Sequence, residues 1–380
     1  MKKQVMSIFA AMVLCLGIGG FVCQTDGALA DDEVLLTMPD YDNPAELSST
    51  TVTSSLYSYN EIDMPTNTIT LSYSDLQEIA SSGSEGLRLT GNNGAIIMDK
   101  NYLTSLLSQT GENITFALSI TGNSVAVSAK ASDAPIYGDE GICIIEAQYS
   151  GGNIYTSIED ATGNKVGNSC YYSDGSVMRW QLEDSETYTF VNDQVSFSDT
   201  AKHWSNEYVT FLGSRDVVNG VGANKYEPNA NLTRGQFITI LARVSPDAVS
   251  DYTAESFDDV KEGDYFYNAV CWGIANEIVN GRSAGKFEPN AKITREEMAT
   301  MCWRFANYLK LELKPVRTPG VFVDDAAIQS YAKEAVQQSY NAGYINGKGK
   351  NEFVPQGNAT RGEAATMIAG LISYITALPH

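Results

Sequence analysis

The stretch Asn229 to Gln236, "NANLTRGQ", closes a run rich in glycine, asparagine and proline and opens an apolar helical pattern. It returns as "NAKITREE" from Asn290 and as "QGNATRGE" from Gln356. Upstream of each copy the spacing is rigid. From Gly220, Gly281 and Gly347 an aromatic follows six residues on (Tyr226, Phe287, Phe353), then a proline (Pro228, Pro289, Pro355), then Thr-Arg. Each glycine ends "VVNG", "IVNG" or "YING", which follows an aromatic-led helical stretch opened by "FSD" at 197, "FDD" at 257 or "FVD" at 322. A unit repeated three times at this period is the mark of a repeat architecture.

Each unit reads as helix, glycine-rich loop, helix. Asn-Gly is expected to halt the first helix in the left-handed conformation that closes a C-terminus. The proline cannot lie inside a helix, so the second helix starts after it. Thr233, Thr294 and Thr360, with Gln236, Glu297 and Glu363 three residues on, form a capping box. Apolar residues then fall three, four and seven positions after the arginine: Phe237, Ile238 and Leu241; Met298, Ala299 and Cys302; Ala364, Ala365 and Ile368. That spacing gives each hairpin one oily face. A single hairpin has too little core to stand alone, whereas three in tandem bury those faces against one another.

On these residues the units resemble S-layer homology (SLH) domains, whose "TRAE" signature stands here as "TRGQ", "TREE" and "TRGE". The resemblance covers about 197–376. It implies an all-α pseudo-threefold array of helical hairpins that attaches a secreted protein non-covalently to secondary cell-wall polysaccharide, often pyruvylated, in Gram-positive bacteria.

Arg234, Arg295 and Arg361 begin helices, where backbone dipoles already present positive charge, and a cation there costs roughly 0.3–1 kcal/mol. Two readings stay open. The arginines pair with a neighbouring repeat's Asp199, Asp259 or Asp324 and hold the hairpins together, or helix amides and guanidinium jointly receive an anionic group of a polymer. The pyruvyl carboxylate is the ligand that the resemblance implies. Under that reading Thr233, Thr294 and Thr360 border the site, Gly220, Gly281 and Gly347 bring backbone close to sugar, and Trp204, Tyr265 and Tyr331 offer ring faces. Those aromatics are read as core before ligand contact, and the glycines as turn residues first. Gln236 weakens the first cap, and the third unit has "KGKNEF" in its loop and an alanine-rich helix, so the second site is expected to be the best formed.

The 380 residues carry a formal charge of −21, and no basic patch of the kind a nucleic-acid binder shows is present. Lys2 and Lys3, an apolar run from Val5 to Val22 and "ALA" at 28–30 read as a secretory signal over 1–30, with a retained membrane anchor as the alternative. No membrane association is expected after cleavage. Cys143, Cys170, Cys271 and Cys302 remain, as disulfides (143 with 170, 271 with 302) or as packed thiols. No zinc spacing occurs, and with His203 and His380 the only histidines a metal or triad site is not expected.

Residues 31–62 read as a flexible lead and 63–193 as an α+β or mostly β domain: a strand at "TITLSY", a helix capped by Ser74 and Gln77, a hairpin about Asn93-Gly94, a short helix at "NYLTSLLSQ", a second hairpin over 114–129, and strands at 142–149, 153–158, 177–182 and 187–191. Tyr171, Tyr172 and Trp180 are read as sheet packing before ligand contact. No histidine lies between 31 and 196, and pairs such as Asp139 with Glu140 or Glu183 with Asp184 read as solvated surface. The chain is thus expected to be multidomain, with repeats at 194–250, 254–312 and 319–376. It is expected to be a wall-attached, non-enzymatic surface protein without cofactors, its N-terminal domain displayed outward for a structural, adhesive or binding role and open to lattice or surface-protein partners. A glycan-acting enzyme on the same anchor is the alternative.

Overall fold

A computed structural model describes residues 32–35, 50–53, 59–172, 176–182, 186–247, 249–253 and 257–377. The expected secretory signal lies outside these residues. Part of the expected lead is strand: β1 (Asp32–Leu35) pairs antiparallel with β2 (Thr50–Thr53), and β3 (Tyr59–Asp63) enters the N-terminal domain. β3 runs parallel to a later strand, β5 (Gly86–Gly91), so its pairing comes from a partner that local sequence does not reveal.

β4 (Thr68–Leu71) leads into α1 (Tyr73–Ser81), capped by Ser72, whose hydroxyl accepts from the Asp75 amide at 3.1 Å, two residues before the expected cap. β6 (Gly94–Asp99) hairpins with β5 and runs into α2 (Lys100–Ser108). Then come β7 (Ile114–Thr121), β8 (Ser124–Ala131), β9 (Ala134–Pro135), β10 (Cys143–Gln148), β11 (Ser157–Glu159), β12 (Ser169–Tyr172), β13 (Val177–Gln181) and β14 (Thr187–Val191). One sheet has the order β12-β13-β10-β6-β5-β3 and the other β11-β14-β8-β7-β4, with β9 against β8.

Apart from its edge strand β3, the first sheet is buried on both faces. Ile96, Met98, Cys143, Ile145, Tyr171 and Trp180 face a core shared with the second sheet and both helices. Ala95, Ile97, Ile144, Cys170 and Tyr172 belong to a second core, continuous with the C-terminal repeats. Burial on two faces explains why "AIIM" and "ICII" are unbroken apolar runs where a half-exposed sheet would alternate.

The repeats supply α3 (Asn206–Gly213) with α4 (Arg234–Ala242), α5 (Tyr267–Ala275) with α6 (Arg295–Tyr308), and α7 (Lys333–Asn341) with α8 (Arg361–Ala377). α8 is buried along its length, between its sister repeats and the first sheet. Arg215, 1% exposed, fastens the junction: it donates to the Ser169 and Thr156 carbonyls at 2.7 Å each and to Phe211 at 3.0 Å. Tyr172 Oη meets Thr376 Oγ1 at 3.1 Å, and Lys314 pairs with Glu85 at 2.7 Å. The domain expected to point outward is therefore packed against the repeats.

The four cysteines are separate buried thiols, and neither expected disulfide is formed. Cys170 faces the repeats while Cys143 faces the opposite core, and burial pushes the Cys143 and Cys302 thiols well above their ordinary range.

Grooves between the repeats as the candidate functional site

Backbone hydrogen bonds close the repeats into a ring. Ile293 N donates to Leu232 O, Ala359 N to Ile293 O and Leu232 N to Ala359 O, each at 3.0 Å. The helix-opening amides are consumed in the same ring: Arg234 N donates to Ala291 O, Arg295 N to Gly357 O and Arg361 N to Ala230 O, at 2.9–3.0 Å. The next amides go to the carbonyls of Pro289, Pro355 and Pro228. The unpaired amides expected to receive an anion are thus taken by the neighbouring repeat. Thr233, Thr294 and Thr360 are occupied too, each accepting from the amide three residues on at 3.2–3.3 Å while Gln236, Glu297 or Glu363 returns a bond at 2.8–3.0 Å.

The three guanidinium groups reach sideways into the next repeat's loop. Arg234 donates to the carbonyls of Phe287 and Asn280, Arg295 to Phe353 and Asn346, and Arg361 to Tyr226 and Asn219, at 2.7–2.9 Å. Each also stacks over that loop's aromatic, at 4.6, 4.9 and 4.3 Å from the ring centre. Asp199, Asp259 and Asp324, the expected partners, are engaged elsewhere. Each accepts two backbone amides of its own loop, from Tyr226 and Glu227, Phe287 and Glu288, or Phe353 and Val354. The carboxylates that do meet the arginines belong to the capping boxes: Arg234 Nη1 lies 2.9 Å from Glu297, and Arg295 Nη1 3.8 Å from Glu363.

The Asn-Gly pairs also differ from expectation. The left-handed residues that close the first helices are Asp216 (φ 56°), Glu277 (φ 57°) and Gly343 (φ 86°), ahead of Asn-Gly. Gly220, Gly281 and Gly347 are small because the chain doubles back on them: a Cβ would lie 2.6–2.7 Å from the carbonyl oxygen of Lys225, Lys286 or Glu352. With their amides turned so that oxygen faces the guanidinium, the preceding asparagines accept from arginines, Asn219 from Arg243 at 3.2–3.3 Å and Asn280 from Arg304 at 3.1–3.2 Å. In the third repeat Gly370 stands where those arginines would, and Arg317, from the preceding linker, reaches Asn346 at 2.8 Å.

A groove of about 350 Å³ opens where Arg234, the Asn280–Arg282 turn, Glu297, Arg304 and Tyr331 converge, so that all three repeats contribute. Arg282 donates to Glu297 at 2.6 and 2.7 Å. Burial works against ionisation of Glu297, yet the Arg282 hydrogen bonds, the Thr294 amide and the Arg234 charge outweigh it and hold the carboxyl below its ordinary range. Three guanidinium groups, of Arg234, Arg282 and Arg304, line the groove with the Glu297 carboxylate, and Arg282 also pairs with Glu288 at 3.3 Å. Tyr331 (49% exposed) lines the groove, its Oη donating to Glu296 at 3.1 Å; Tyr265 (64% exposed) is not part of this lining, and Trp204 is half-buried against His203. Arg282, Arg304, Glu296 and Glu297 were not singled out from sequence as site residues. The arginine nine residues after the helix start in two repeats was the available signal.

At the matching position of the interface built by Arg361, Gln236 replaces the carboxylate and Val221 replaces Arg282. The ion pair is lost as a unit there, and among the described residues no carboxylate lies within ion-pair distance of Arg361. Groups of three or more His, Cys, Asp or Glu suited to a metal ion are absent from the described residues. No described helix is long and apolar enough to cross a membrane.

Three repeats of interlocked hairpins, each delivering an arginine to its neighbour's loop, form one modular helical unit. Residues 196–238, 256–299 and 321–365 match the S-layer homology domain family, so the C-terminal part of the chain carries three SLH repeats. An amylopullulanase of Thermoanaerobacterium thermosulfurigenes is 33% identical over 207 residues, 54% of this chain and 11% of that protein. The exoglucanase XynX of Acetivibrio thermocellus is 34% identical over 178 residues (47% and 16%), and an S-layer protein of Bacillus thuringiensis subsp. finitimus 27% over 175 (46% and 21%). The chain thus spans about a tenth to a fifth of these relatives, and the enzymes match over the SLH region, about half of this chain. SLH repeats indicate surface anchoring, and with the S-layer relatives they support a secreted, cell-wall or S-layer location.

Proposed function

We propose that the protein is held non-covalently on a bacterial wall by an anionic, pyruvylated secondary polysaccharide seated in the grooves between its SLH repeats. The observation that carries this is the arginine-lined groove of Arg234, Arg282 and Arg304 beside the exposed Tyr331 ring. Guanidinium forks suit a carboxylate, and an aromatic face suits a sugar ring. The repeats, taken as 194–250, 254–312 and 319–376, act as one pseudo-threefold body, a reading supported by the hydrogen-bond ring. Arg234, Arg295 and Arg361 set the groove floors, the glycine loops and Trp204, Tyr265 and Tyr331 the walls. The domain at 63–193 serves a structural or binding task rather than catalysis.

The long-range repulsion between an acidic protein and an anionic polymer is screened within about 8 Å at physiological salt, so a local site prevails. Co-sedimentation of the full chain with purified sacculi tests the proposal. Binding is expected to intact walls and to be lost after removal of the acidic substituents, and undiminished binding to stripped walls would overturn the assignment of the ligand.

A further inference from the structure

A larger cleft, of about 920 Å³, lies between the N-terminal domain and the second repeat. One wall is the outer face of α6, with Trp303, Arg304, Asn307 and Tyr308; the other is Tyr137, Asp139, Glu140 and Gln181 of the N-terminal domain. Resting on the wall-anchoring reading, we infer that this cleft binds neutral sugar residues of the same polymer, adjoining the anionic residue held in the groove.

Continuity carries the inference. Arg304 lines both cavities, and Thr300 of the groove and Tyr308 of the cleft sit about 12 Å apart along one helix at 1.5 Å per residue. Arg304 is thus the point at which groove and cleft adjoin. The chemistry changes on the way. The groove is rich in arginine, whereas the cleft sets Asp139, Glu140, Asp247 and Glu277 against Arg304 and Lys310. A second anionic group would be repelled there, while hydroxyls find carboxylate and amide acceptors beside Trp303, which is half-buried and so offers part of its ring to the cleft.

The walls are held for this. Asp247 accepts from Tyr308 Oη at 2.6 Å and from Trp272 Nε1 at 2.7 Å, which fixes the phenol ring. The opposite wall is positioned by the shared core and by Arg215 across the domain junction. The N-terminal domain thus forms part of the binding apparatus.

The test uses the full chain and two probes from purified wall polysaccharide, the long polymer and a short acidic fragment of two or three sugars. The long polymer should bind more tightly than the fragment. Trp303→Ala should weaken the long polymer about 5-fold, with fragment affinity unchanged, and Asn307→Trp, an exposed position that narrows the cleft, should do the same with an unaltered melting curve. Equal affinity of wild type for both probes, or variants that bind the long polymer as wild type does, would overturn the cleft while leaving the anchoring groove intact. If wild type binds neither probe, the anchoring reading falls and this inference with it.

Discussion

Arg361 and Tyr226 hold each other across the junction of the third and first repeats. Arg361 Nε donates to the Tyr226 carbonyl at 2.7 Å, and the Tyr226 hydroxyl donates back to the Arg361 carbonyl at 3.1 Å. Phe287 and Phe353 occupy the matching places and return no such bond. Tyr226→Phe should therefore cost about 1 kcal/mol of unfolding free energy in urea titration. Arg361→Ala leaves two loop carbonyls without a donor and should cost on the order of 3 kcal/mol. An arginine that served only a ligand would leave the unfolding curve where it was.

Gln236→Glu restores the capping-box carboxylate beside Arg361. A charge-assisted bond in a partly buried site, offset by desolvation, should stabilise the fold by about 1 kcal/mol. The same carboxylate competes with an anionic ligand, so wall binding should weaken while the melting temperature rises. A fall in both would show that the interface has no room for the acid.

Asp99 caps α2, accepting from the Tyr102 amide at 2.7 Å, in a buried position. Burial pushes its carboxyl up to about 6, against the lowering effect of the Tyr102, Ile142 and Asn101 amides. Unfolded, it titrates near 4. Between those values the folded state retains a proton that the unfolded chain releases, so stability falls as pH rises from about 4 to 6 and the penalty is complete above 6. Asn keeps the capping acceptor without the charge. Asp99→Asn should gain on the order of 2–3 kcal/mol relative to wild type at pH 7 and nothing at pH 4, read from denaturant curves at the two values.

Arg215→Ala strips donors from the Ser169 and Thr156 carbonyls inside the domain junction. A loss of on the order of 3 kcal/mol is expected, together with two calorimetric transitions in place of the single one expected for wild type, because the junction then opens before either domain melts. A single unshifted transition would mean that the apolar junction alone couples the domains.

Much of the anchor was legible in the chain. The capping boxes, the helix starts after proline and the apolar intervals behind each arginine follow from short-range stereochemistry, and the helices begin at Arg234, Arg295 and Arg361 as that spacing requires. β12 was missed because "SCYY", buried on both faces, lacks alternation, and the unbroken runs "AIIM" and "ICII" were a signal of two-sided burial that went unused.

What each arginine does was not legible. Its cost at a helix start is a local quantity that sequence supplies, but its partners lie in another repeat, between 46 and 142 residues away along the chain. Periodicity determined that three hairpins exist and which faces they bury. Only the closure of the ring decided that the helix-start amides are spent and that the guanidinium groups hold loop carbonyls. Hydrogen bonds between repeats depend on register and approach across that ring, and no residue's neighbours in sequence carry that information.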